Sequence, residues 1–225
     1  MRSVVLDTRQ KALAINLDKS IYGTFAEIGA GQEIARHFFI AGGASGTIAK
    51  SLSAYDMSMS DYLYGERPGR YVCKARLNQM LDKEFGILME TLALQKPDRR
   101  YFAIANTVEA INYDRSNKSH GWLGVKFQTE PGGEPNEVIV HLRLLDRENI
   151  LQQEILGVLG VNLLYGCYFL ISVIISSKKK PWPNLISWKP KKSITKSKLK
   201  KPKPSLPICK MILLPSKNLP VNVTS

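Results

Sequence analysis

Glu27, Glu33, Arg36, His37, Lys50 and Asp56 all fall within one stretch, Tyr22–Asp56. The same stretch holds two glycine clusters, Gly29-Ala30-Gly31 and Gly42-Gly43-Ala44-Ser45-Gly46. Carboxylates, an imidazole and an amine beside freely bending backbone suit acid–base chemistry on a small ligand. Glu27, His37, Lys50 and Asp56 are the candidate catalytic groups. Gly29, Gly31, Gly43 and Gly46 are the candidate ligand-cradling positions. Each group also has a structural alternative. Glu27 and Glu33 pair with Arg36 or cap a helix start. His37 is a hydrogen-bonded helix residue. Asp56 is an N-cap, and the glycines make tight turns.

The first cluster resembles methyltransferase motif I, with Glu27, Ile28, Gly29 and Gly31 in place. A strand, Gly-x-Gly and a helix is how a dinucleotide or S-adenosylmethionine site begins, because the glycines let backbone N–H groups approach the ligand. Glu33 stands where the third glycine belongs, so the fingerprint is incomplete. The second cluster fails the phosphate-loop pattern: Gly46 leads into Thr47-Ile48-Ala49-Lys50, not Gly-Lys-Ser/Thr. What survives there is a backbone nest for an anion, assisted by Lys50.

These groups need elements to hold them. Leu6–Leu17 has helical spacing, Ile21–Ile28 is β-branched and aromatic, and Gln32–Ala41 carries Ile34, Ala35, Phe38 and Phe39 on one helical face. Thr47–Leu52 is too short to assign, and Met57–Tyr64 is a helical turn closed by Gly65. Arg76–Leu94 is the clearest helix, with Leu77, Met80, Leu81, Phe85, Leu88 and Leu92 three and four apart. Tyr101–Val108, Trp122–Thr129 and Glu137–Leu145 are strand-like, the last two joined by a Pro131–Asn136 hairpin loop. A helical pattern resumes at Arg147. The expected fold is a mixed α+β domain over residues 1–150, with a small, largely antiparallel sheet, or an incomplete α/β domain.

Charge divides the chain. Residues 1–177 hold 19 Lys+Arg and 19 Asp+Glu, whereas 178–225 hold 13 Lys and no acidic residue. The neutral body has no reason to seek phosphate backbones, so no specific nucleic-acid partner is expected. Cys73, Cys167 and Cys209 form no CxxC, and no two of His37, His120 and His141 have metal-ligand spacing. A reducing, cytoplasmic setting and no metal are expected. Ile155–Ser177 runs 23 residues without a charge, enough to span a membrane. Beyond it, 178–225 contains eight of the twelve prolines and reads as a disordered Lys/Pro-rich tail. A membrane anchor, a basic arm and a shifted reading frame each account for that break, and the last explains the loss of acidic residues best.

The words YGTFAEIGAGQEIARHFF, GGASGTIAKSLSAYDM, SDYLYG and LLDRENILQQEILGVLGVNLLYG resemble an uncharacterised bacterial protein family. Its members carry transferred names, nicotinate-nucleotide adenylyltransferase and TonB-dependent receptor. The likeness covers about residues 5–168. The adenylyltransferase label implies a nucleotidyltransferase, yet neither its His-x-Gly-His nor its Ser-x-Thr-x-x-Arg motif occurs here, so no catalytic residue carries over. The functional expectation is a transferase-like protein binding a nucleotide or other anionic small molecule, with no cofactor assigned. The alternatives are a non-enzymatic scaffold and a protein anchored in the membrane through 155–177.

Overall fold

The computed structural model describes residues 6–66, 69–170 and 209–214, the last by backbone alone. Glycine and aspartate punctuate the first half. Asp7 and Gln10 form a reciprocal capping box that starts α1 (Thr8–Leu17). β1 (Ile21–Gly29) ends in the first glycine turn, which starts α2 (Gln32–Ala41). A 3-10 turn, Ala44–Gly46, leads into β2 (Ile48–Ser53), and Asp56 caps α3 (Met57–Tyr64). Then follow α4 (Lys74–Thr91), β3 (Arg100–Glu109), β4 (His120–Phe127), β5 (Asn136–Leu144) and α5 (Asn149–Phe169). The backbone of Cys209–Leu214 adds β6 beside β5, a strand within the stretch expected to be irregular. The rest of 171–225 lies outside the described residues.

The fold is α+β, around one mixed sheet in the order β2-β1-β3-β4-β5-β6. β1 pairs parallel with both β2 and β3, and the remaining pairs are antiparallel. The sheet is larger than the three later strands alone. β1 lies inside it, and the unassigned run after the second glycine cluster is its edge strand. Alternation sorts the side chains onto two faces. Phe25, Phe102, Ile104, Leu123 and Val140 meet α1, α2 and α5 on one side. Ala26, Tyr101, Ala103 and Ile139 meet α3 and α4 on the other. Leu77, Met80, Leu81, Phe85 and Leu88 are the buried stripe of α4, each contributing about 2 kcal/mol by burial.

α5 is the one helix among the described residues long and apolar enough to cross a membrane, and 67% of its apolar window is buried in the protein. Its polar residues have protein partners that lipid could not supply. Gln152 accepts from Ile111 N–H and donates to Asp146 C=O, and Lys11 Nζ donates to Asn162 Oδ1. α5 is thus packed as a core helix, with its buried face turned to α1 and α2 rather than left open for lipid. Gly160 permits that packing: a Cβ there would meet the Ile34 side chain at 2.6 Å. Gly160→Ala is therefore expected to cost about 1–2 kcal/mol net. Gly86→Ala in α4, where nothing lies within 4 Å, is expected to gain up to about 1 kcal/mol. Urea midpoints that move in opposite directions check this pair.

Candidate functional site

The sheet register assembles a site that chain order conceals. Ser53, Glu27 and Asn106 are direct cross-strand partners on β2, β1 and β3. They form one row at the C-terminal ends of three mutually parallel strands, on the face toward α2. Ligands of open α/β sheets bind in this position, where a strand hands over to a helix whose N-terminus favours negative charge. Phe25, Ala26, Glu27, Ile34, Ile104 and Asn106 line a narrow recess there. No water-sized space is open inside it, so a ligand group reaches its buried atoms only when the lining side chains move.

Two side chains of the row, Glu27 and Asn106, have an unusual environment. Glu27 is 6% exposed, and burial raises its carboxyl to about 7, while the Ser53 hydroxyl pulls the other way. A carboxyl titrating near neutrality can both take and return a proton at working pH. Asn106 is 2% exposed, and its Oδ1 has no hydrogen-bond partner within the protein. A buried orphan acceptor is costly and marks a place where a ligand donor fits. Gly31, at φ +141°, brings the backbone so close that a Cβ would run into the Asn106 amide. Gln32 clamps the turn. Its Nε2 donates to Gly29 C=O at 2.7 Å and to Ser53 Oγ at 3.3 Å, and its Oε1 accepts from Gly31 N–H.

The other candidates disperse. Lys50 points to the opposite face, because the β1–β2 register shifts at Gly23/Thr24 and sets Lys50 beside Thr24. Its Nζ pairs with buried Glu84 at 2.6 Å, and Tyr64 donates to the same carboxylate at 2.9 Å. Lys50→Met is expected to destabilise the protein by about 1–3 kcal/mol, because Glu84 would keep a buried charge without its cation. Thermal unfolding near neutral pH checks it, and an unchanged Tm would contradict it. Asp56 takes the N-cap role, accepting from Met59 N–H at 2.9 Å. His37 lies along α2 against α5, where a Cβ on Gly157 would meet its ring at 2.8 Å. Burial lowers its proton affinity, which keeps the ring neutral. Glu33 pairs with Arg36 at 3.2 Å.

The glycines divide likewise. Gly29 and Gly31 turn at the recess, both with positive φ. Gly43 and Gly46 sit at the other end of α2, against Asn16 of α1, before β2 begins. A nest assisted by Lys50 is therefore not formed: the amine and the second cluster lie apart. Among the described residues no group of three or more His, Cys, Asp and Glu side chains comes together to hold a metal. Ser53, Gln32 and Asn106 escaped the sequence reading. Asn106 did leave a signal, as a polar amide inside the apolar run Tyr101–Val108.

A crevice at the end of parallel strands, holding a buried carboxyl and an amide oxygen without a partner in the protein, is the candidate site on this α+β fold. Solved structures share that fold. The competence/damage inducible protein CihA from Agrobacterium tumefaciens matches with a TM-score of 0.52 and 17% identity over 73% of this chain and 97% of its own. A competence-damaged protein (CinA) superfamily protein from Enterobacter cloacae matches with a TM-score of 0.52 and 12% identity over 74% of this chain and 95% of its own. At such identities the likeness is one of fold. Neither neighbour carries the adenylyltransferase or receptor name of the proteins whose wording this sequence resembles. No protein-family profile and no curated protein matches the chain.

Proposed function

We propose that the protein is an enzyme acting on a nucleotide or other anionic small molecule, with Glu27 as its general acid–base. The observation that carries this reading is the row Ser53–Glu27–Asn106 beneath the N-terminus of α2. The anionic part of the ligand rests over the glycine turn and the first turn of α2. The side chains lining the recess move to admit one functional group, and Asn106 Oδ1 accepts a hydrogen bond from it. Glu27 takes a proton from the attacking group and returns it to the leaving group, the chemistry of a transfer or hydrolysis. The nucleotidyl transfer implied by the shared name gains no lysine at this point, since Lys50 serves Glu84. The free thiols of Cys73 and Cys167 fit a reducing compartment.

Thermal-shift screening against nucleotides, pyridine-nucleotide precursors and S-adenosylmethionine tests the reading. At least one anionic ligand is expected to raise Tm, because a ligand that binds only the folded state stabilises it by mass action. Asn106→Leu is expected to abolish that rise while the unliganded protein still unfolds cooperatively. A panel with no shift would favour a non-enzymatic scaffold instead.

A further inference from the structure

We propose that His120 and His141 form a binding site for a divalent transition-metal ion on the α4 side of the sheet. Spacing along the chain predicts none, because the two residues are far apart in sequence. The β4–β5 register brings them together. Trp122 pairs with His141, and His120 pairs with Arg143, so the two imidazoles are diagonal neighbours on one face. Their ring centres are 5.9 Å apart, inclined at 58°. Metal–nitrogen bonds of about 2.0–2.1 Å place two imidazoles on one ion with ring centres roughly 5–6 Å apart. The observed spacing falls within that range.

Two further observations support the site. His120 Nδ1 is buried with no hydrogen-bond partner in the protein, an unsatisfied lone pair or N–H that costs free energy until something meets it. His141 is held by the Trp122 ring, whose centre is 4.5 Å away. The flanking charges offset each other: Glu109 is the β3 partner of His120, and Arg143 its β5 partner. Glu109 is itself engaged, its Oε1 accepting from Asn117 Nδ2 at 2.8 Å, so water completes the coordination. Imidazole pairs favour Cu²⁺, Ni²⁺ and Zn²⁺ over Mg²⁺ or Ca²⁺. Such an ion would tie β4 to β5, on the opposite face of the sheet from the Glu27 recess.

Calorimetric titration of the tag-free full chain with Cu²⁺ and Zn²⁺ tests this proposal independently of any enzymatic activity. One saturable site is expected, weakened by more than about tenfold in His120→Ala or His141→Ala and unchanged in His37→Ala. Cu²⁺ is expected to quench Trp122 fluorescence with the same saturation. Trp122→Phe should remove most of that quench while the calorimetric site persists. Circular dichroism of each variant shows whether its fold is kept. Absence of a saturable site, or a site that survives the double variant His120→Ala/His141→Ala, would overturn the proposal.

Discussion

Glu27→Gln is expected to make the protein more stable above neutral pH while removing its chemistry. Burial lifts the Glu27 carboxyl from 4.5 to about 7. Between those limits the folded state holds a proton that the unfolded chain has released. Stability is therefore full below about pH 4.5 and falls as pH rises through 7, by about 3 kcal/mol in all. Glutamine has nearly the same shape and never ionises. Allowing about 1 kcal/mol for an altered hydrogen bond, the variant should exceed the parent by about 2 kcal/mol near pH 8 and match or trail it near pH 4. Urea unfolding across that range reads the difference directly. Two parallel profiles would show that Glu27 ionises normally.

The second large effect is expected at Gly31. Gly31→Ala adds a Cβ where the Asn106 amide already sits, in a backbone conformation, φ +141°, that side chains rarely adopt. Strain and overlap together should cost about 2–4 kcal/mol. Gly42→Ala separates the two contributions. Gly42 has φ +93° and nothing within 4 Å of its Cβ position, so it should cost only about 1–2 kcal/mol. The excess at Gly31 measures the contact between the glycine turn and Asn106. If the two variants have equal urea midpoints, the turn is not pressed against the amide and the recess is more open than described.

What the sequence disclosed depended on how local each feature is. The bounds of α2 were legible because glycines mark both ends, and those of α3 because Asp56 and Gly65 do. The edge strand β2 was not: it has six residues, only half of each turn of its pleat is covered, and nothing distinguishes it from a loop. The parallel pairing of β1 with β3 joins segments separated by three helices and a strand, and no local pattern announces such a contact. Glu27 stood out by residue type beside a glycine turn. Lys50 stood out equally, yet side chains alternate across a sheet, so its register places it on the far face with Glu84. Ser53 and Asn106 gain their meaning only from that same register. The apolar run 155–177 was legible as long enough to span a membrane, but length and composition do not distinguish a core helix from a membrane span. The packing against α1 and α2 does.

We propose Glu27 as a proton-transfer group held near neutrality beside a ligand-binding recess. Carbon-13 NMR of the Glu27 side-chain carboxyl across a pH titration tests it most directly. The predicted midpoint is about 7, moving higher in Ser53→Ala because the hydroxyl that lowers it is gone. A midpoint near the ordinary 4.5, unmoved by Ser53→Ala, would contradict the account.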